Sequence, residues 1–195
     1  MSFFKKIFNS PKEKEPEEPN SEFKDLSLDQ IFVKKFINNN GKFLYCASLK
    51  EVTENLIEIA EENDWKQLIC NDSDLLKLIK KTGIKTTKKI TNNFPLFVGC
   101  EHLIAENGSI LLSSNQLKET KISDLSADFI VYATTSQIVN TKGESLTGIK
   151  TRYQGNIPSN ISAIKNYNPD CKDKDFMSYG NTNSKNLYLL LFEDL

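Results

Sequence analysis

The run Leu187-Tyr188-Leu189-Leu190-Leu191-Phe192 sets the narrowest limit on what this chain can fold into. Six apolar residues fall far short of the roughly 20 that span a bilayer as a helix. As a strand, the run carries apolar side chains on both faces, so both faces need cover. It therefore belongs in the interior of a sheet with other elements packed on each side.

The rest of the chain supplies those elements. Leu28, Ile31, Phe32, Lys35 and Phe36 follow a helical period that ends in Asn38-Asn39-Asn40-Gly41, residues tolerant of the left-handed conformation. Lys42 to Ala47 is a short apolar run suited to a buried strand. Ser48 to Asn63 predicts an amphipathic helix: Ser48 caps it, Glu51 stands three residues later, and Val52, Leu56, Ile59 and Ala60 share a face. Gln67 to Cys70 predicts a strand, Asp72 or Ser73 opens a helix that Gly83 closes, and Lys88 to Ile90 predicts a further strand. Such alternation means a layered α/β sheet with parallel pairing. Beyond it, Leu103 to Ala105, Ser109 to Leu112 and Phe129 to Ala133 are short strands expected to add hairpins to that sheet, and residues 136–153 are mixed and partly helical.

Composition bounds the function. The 195 residues hold 25 basic and 26 acidic side chains for a net charge of −1, with a single His, and Arg152 is the only arginine. A balanced charge and one guanidinium give no electrostatic footprint for nucleic acid. The four cysteines, at 46, 70, 100 and 171, contain no C-x-x-C pair. Together with one His this leaves no self-contained zinc or iron–sulfur centre, and unpaired-looking thiols fit a reducing compartment. With no apolar leader or spanning run, the expected location is cytoplasmic. Residues 11–24 hold three of the six prolines among alternating charges, so residues 1–24 read as a tail and linker ahead of a domain over 25–195. The tail's Phe3, Phe4, Ile7 and Phe8 beside Lys5 and Lys6 suit a membrane-surface or partner-docking peptide, or a frayed terminus.

The segment with most chemical content is Cys100-Glu101-His102-Leu103-Ile104-Ala105-Glu106-Asn107-Gly108-Ser109-Ile110-Leu111-Leu112. Asn107-Gly108 between apolar runs predicts a type I′ hairpin turn. Turn chemistry leaves Glu106 unexplained, and its carboxylate, following Ile104 and Ala105, is expected to be partly desolvated. Cys100 and His102 flank Glu101 without an orienting acid, so a Cys–His nucleophile is not specified. Asp72, Asp74 and Glu101 are conceivable hard-metal ligands, but a helix start accounts for the first two.

IAENGSILL resembles the Ile-Ala-Glu-Thr-Gly-Thr/Ser block of the LUD-domain (lactate utilisation protein) family, with Asn107 in place of threonine. AENG is also similar to the Ser-Glu-Asn-Gly element of class I CoA transferases, whose glutamate is the nucleophile. A second block, Tyr153-Gln154-Gly155-Asn156-Ile157-Pro158-Ser159-Asn160-Ile161-Ser162-Ala163-Ile164, resembles the Gly-Pro-Ser segment of LUD proteins, though Ala163 and Lys165 replace the family's acidic pair. The ending Gly180-Asn181 and Asn186 to Phe192 resembles the family's closing segment without its His-Gly-Pro. The likeness covers roughly residues 40–195 and supports the LUD reading over the CoA transferase one.

The resemblance implies a three-layer Rossmann-like sandwich of the NagB/RpiA/CoA transferase type, α/β, with a mixed sheet and added hairpin strands. It implies a non-redox accessory or ligand-binding role in lactate or organic-acid utilisation, with no cofactor on this chain. Iron–sulfur clusters would sit on partner oxidoreductase subunits. The alternatives are an acyl- or CoA-transferase-like enzyme with Glu106 as nucleophile, which would need a homodimer or a second domain, and a binding or scaffold domain. Besides Glu106, the expected ligand-binding residues are Asn107, Gly108, Arg152, Gly155, Pro158, Ser159 and Ser162. The loop from Gly155 to Ser162 would cradle a small anionic ligand if a helix starts there, with Arg152 upstream as its fork.

Overall fold

A computed structural model describes residues 26–168 and 183–194. The Phe3–Phe8 cluster, the linker, Cys171 and Gly180-Asn181 lie outside the described residues. The elements run α1 (Leu28–Asn38), β1 (Lys42–Cys46), α2 (Leu49–Glu62), β2 (Gln67–Ile69), α3 (Ser73–Ile79), β3 (Lys85–Thr87) and β4 (Leu96–Val98). They continue with β5 (His102–Ile104), β6 (Ser109–Leu112), α4 (Ser114–Leu117), β7 (Asp128–Thr134), β8 (Ile138–Val139), α5 (Lys142–Tyr153), β9 (Ser162–Ile164) and β10 (Asn186–Phe192).

Six strands form a wholly parallel sheet in the order β1-β10-β7-β4-β2-β3. The LYLLLF run is β10, an interior strand, with Leu189 opposite Phe43 on one side and Val131 on the other. Its side chains alternate between two apolar layers as a period of 2 requires. Leu187, Leu189 and Leu191 pack with Phe129, Val131, Leu96 and Val98 against α1 and a second sheet. Tyr188 and Leu190 pack with Ile130 and Phe97 against α2 and α3. The result is a three-layer α/β sandwich.

The helices start and stop for local reasons. Ser48 Oγ accepts the Glu51 N–H at 3.2 Å, while Glu51 Oε2 reaches back to the Ala47 N–H at 3.0 Å. The predicted face of α2, Val52, Leu56, Ile59 and Ala60, is the buried one. Asp72 caps α3, its Oδ1 accepting the N–H groups of Asp74 and Leu75 at 2.8 and 3.0 Å. Asn40 leaves α1 at φ +68°.

Four expectations need correction. The expected hairpin strands divide: Phe129–Ala133 is β7, a parallel interior strand of the main sheet and no hairpin, while β5 and β6 pair antiparallel, β9 joins β6 antiparallel and β8 joins β5 parallel, making a separate four-stranded sheet. Both faces of β5–β6 are buried, Leu103 and Ile110 toward the main core and Ile104 and Leu111 toward Ile149 of α5, and an appended sheet edge would leave one face uncovered. Mixed pairing therefore belongs to this second sheet alone. The third strand lies at 85–87, not 88–90, and β4 was not foreseen, because Leu96–Val98 is three residues hemmed by Pro95 and Gly99. Finally, the Asn-Gly turn is not type I′: four residues, Ala105 to Gly108, connect the strands, only Gly108 takes a positive φ (+68°), and its N–H bonds Ile104 O at 2.9 Å.

Candidate functional site

In an open parallel sheet, the connections leave a crevice outside the carboxyl ends of the strands, where successive segments depart to opposite sides. Here β2 has β3 on one side and β4 on the other. A cleft of about 590 Å³ opens at this point, lined by Asn71 beyond β2, Val98 to Cys100 at the end of β4, Tyr132 of β7, and Asn115, Gln116, Lys118, Gln137 and Tyr153 from the second half of the chain.

Behind the lining lies a buried acid. Glu101 leaves no surface to solvent and forms the link from β4 to β5. Its Oε1 accepts Ser113 Oγ at 2.6 Å, Asn115 Nδ2 at 3.1 Å and Gln116 Nε2 at 3.1 Å. Its Oε2 accepts the Tyr153 hydroxyl at 3.0 Å and faces Arg152 Nη1 at 3.7 Å. Burial alone would raise the carboxyl's pKa, but the donors of Ser113, Gln116, Asn115 and Tyr153 outweigh it and hold the pKa below the usual carboxylate value. The ionised form is therefore the resident one. Each donor has a local reason to be there: Ser113 caps α4, and Gln116 returns its Oε1 to the Ser113 N–H at 2.8 Å. Arg152 and Tyr153 come from the last turn of α5. Gln137 closes the cage from below, donating to Cys100 O at 2.7 Å and accepting the Thr134 N–H at 2.8 Å.

The neighbours of Glu101 are structural. His102 is nearly buried, and its Nδ1 lies 2.9 Å from the buried Ser145 Oγ. Burial, then Arg152, lowers its pKa against the opposing pull of Glu101. A histidine held neutral in the fold but free to charge when unfolded makes the unfolded state bind more protons between the two pKa values. Stability from this group is complete above about pH 6.5 and falls as pH drops below it. Urea titrations at pH 7.5 and 5.5 should show that loss, and His102→Gln should reduce the difference. Cys100 is buried, and burial pushes its thiol well up, the opposite of a reactive thiolate. Among the described residues, no group of three or more His, Cys, Asp and Glu is placed to hold a metal.

The residues singled out in the sequence are not brought together. The Glu106-Asn107-Gly108 turn packs against α1 and does not line the cleft: Lys35 Nζ donates to Glu106 O at 2.7 Å, Asn39 Nδ2 donates to Asn107 O at 2.9 Å, and Tyr167 OH donates to Gly108 O at 2.7 Å. The Glu106 side chain is exposed, where partial desolvation was expected, because the four-residue loop turns it outward. No helix starts within Gly155–Ser162. The loop leads into β9, where Ser162 pairs with Leu112, so the free N–H groups of a helix start are missing. Gly155 takes φ +100°, Pro158 is buried, Ser159 is exposed with its carbonyl accepting the Ser114 N–H at 2.9 Å, and Ser162 lines a separate hollow of about 320 Å³. Arg152 alone of that set reaches the cage beside the cleft, and it faces Glu101 instead of the loop. Sequence reasoning missed Ser113, Asn115, Gln116 and Tyr153. The one local signal was an acid set between Cys100 and His102 at the mouth of an apolar strand.

No protein-family model and no curated protein matches the chain. Among solved structures it is similar to the crystal structure of a DUF162 family protein from Deinococcus radiodurans, with a TM-score of 0.58 over 86% of this chain and 99% of that one. The two chains share a fold. Their identity is 12%, so the likeness lies in the arrangement of elements. No helix among the described residues is long and apolar enough to cross a membrane.

Proposed function

We propose that this chain is a LUD-type ligand-binding protein whose site is the cleft at the carboxyl ends of β2 and β4. We further propose that it serves organic-acid utilisation as a non-redox accessory to iron–sulfur subunits. The observation that carries the reading is the Glu101 cage, in which an ionised acid is sealed behind the lining and fixes three of its side chains, Asn115, Gln116 and Tyr153. A crevice whose walls are oriented from behind in this way is pre-organised, which lowers the ordering cost of binding. The similar fold of a DUF162 protein, DUF162 being the LUD-domain family, and the IAENGS and Pro158-Ser159 blocks support the family part of the reading. The placement of Glu106 outside the cleft gives the CoA-transferase alternative no such support.

Gly99 offers the test. It lines the cleft, and a Cβ built there meets nothing closer than Tyr132 O at 4.0 Å. Gly99→Leu should keep the fold while filling the cleft. Calorimetry against lactate, nucleotides and CoA esters should find a ligand for the natural protein whose affinity drops at least about tenfold in this variant, the loss expected when a side chain occupies the ligand's space. Unchanged affinity in Gly99→Leu would move the site elsewhere. Affinity purification of the full chain should also carry an iron–sulfur subunit, and its absence would remove the accessory role.

A further inference from the structure

We propose that Lys118 is the specificity-determining residue of the cleft, its ammonium pairing with the carboxylate of a small organic acid, and that the fold carries backbone strain to keep a side chain there. The inference rests on the reading of the cleft as the binding site and names the group that decides what enters it.

Lys118 stands where the backbone favours glycine. It follows α4 at φ +55° and ψ −133°. These angles are those of the first central residue of a type II′ turn, and the turn Leu117–Thr120 closes with the Thr120 N–H on Leu117 O at 3.1 Å. A side chain in this region is strained. Three of the other four non-glycine residues at positive φ among the described residues are Asn or Asp, types that tolerate it. Lysine has no such tolerance, and the fold makes little use of its side chain. Lys118 is exposed, and among the described residues its ammonium makes one hydrogen bond, to Asn115 O at a long 3.4 Å. Strain held at the edge of a cleft, for a side chain that neither packs nor pairs within the fold, points to a ligand.

The surroundings suit an anion at that ammonium. Lys118 lines the cleft with Asn115 and Gln116. Each of these amides donates one hydrogen to Glu101 and keeps a second. Two acids share the lining, and both already have partners in α3: Asp72 Oδ1 accepts the N–H groups of Asp74 and Leu75, and Asp74 Oδ1 accepts Lys77 Nζ at 2.7 Å. Lys118 is the one cation among the described lining residues. A single ammonium beside amide hydrogens matches the single charge of a carboxylate. A phosphate dianion needs more, and the backbone N–H groups at the start of α3 that would help it are held by Asp72.

Lactate and lactamide test the charge, because they share a skeleton and a hydroxyl group and differ in the carboxylate. Chemical-shift titration of the 15N-labelled full chain with lactate should move the amides of Gly99, Asn115 and Lys118. Lactamide should need a concentration at least about tenfold higher for half-saturation, the ratio expected for one charge-assisted hydrogen bond. Two variants then separate side chain from backbone. Lys118→Gln keeps the strained Cβ, so it should lose the preference for lactate while unfolding at the natural urea midpoint. Lys118→Gly should lose the same preference yet unfold at a urea concentration about 0.5 M higher, because the strain is gone. Equal saturation by lactate and lactamide, saturation by inorganic phosphate at a lower concentration than lactate, an undiminished preference in Lys118→Gln, or a Lys118→Gly protein no more stable than the natural one overturns the inference and leaves the cleft as the site. If none of the three probes moves the cleft amides, the cleft reading falls and this inference with it.

Discussion

Replacing Glu101 with alanine should destabilise the protein by about 3 kcal/mol or more, read as a fall in the urea midpoint at unchanged slope. The carboxylate is the shared acceptor of Ser113, Asn115, Gln116 and Tyr153 and the counter-charge of Arg152. Asn115 and Arg152 reach solvent and recover water when it is gone. Ser113 is fully buried and, losing its partner at 2.6 Å, keeps only the longer contact to Gln116 Oε1 at 3.1 Å, and a space remains where the side chain was. Glu101→Gln should cost less, about 1–2 kcal/mol, because the shape persists and one oxygen still accepts while the new amide faces a donor. Acid gives the same result without mutation. The Glu101 pKa is lowered in the fold, so its contribution is complete above the ordinary carboxylate value of about 4.3 and is lost as pH falls through the folded value. A Glu101→Ala protein that unfolds at the natural urea midpoint would show that the cage is ornamental.

Gly108→Ala should be as damaging, for a reason unrelated to chemistry. Gly108 holds φ +68°, which a side chain takes at a cost, and a Cβ there would lie 2.6 Å from both Lys35 C and Phe36 N. Those are backbone atoms of α1 and cannot swing aside. Either α1 lifts from the β5–β6 turn or the turn changes conformation. Lifting would strain the Lys35 and Asn39 bonds to the turn and the Phe36–Tyr167 ring contact at 4.5 Å. A loss of about 3 kcal/mol follows from strain and overpacking together. Thermal unfolding measures it. A melting temperature within a degree of the natural protein's would mean that α1 does not rest on this glycine. Ligand binding in the cleft of any folded Gly108→Ala molecules should be retained, because the turn does not line it.

The contrast between these two positions shows what a sequence can disclose. Helix α2 was legible to the residue because Ser48, Glu51 and the Val52-Leu56-Ile59 face are relations within a few positions. The interior place of β10 was legible from composition alone. Asn107-Gly108 reads locally as a type I′ turn, which it is not, and its constraint comes from α1, some 70 residues earlier, which no local pattern announces. The Glu101 cage was not legible at all. Its partners lie 12 to 52 residues away, and locally each passes for something ordinary: Ser113 for a helix cap, Asn115 and Gln116 for surface amides, Tyr153 for the end of a helix. An acid beside buried strands states only that partners must exist, and the fold chooses which.

The position of β10 bears on how the sheet is assembled. β1 and β7 are not neighbours: residues 186–192 lie between them and are the sole sheet partner of β1 among the described residues, whereas β7 also pairs with β4. During synthesis from the amino terminus, β7, β4, β2 and β3 can associate first, while β1 waits with an unpaired edge. More than 140 residues separate β1 from the strand that closes on it. Pairing at such separation is slow, and exposed apolar edges are prone to aggregate in the interval. The LYLLLF segment is thus a keystone set last, and substitutions there should reduce the yield of folded protein before they alter the behaviour of the molecules that do fold.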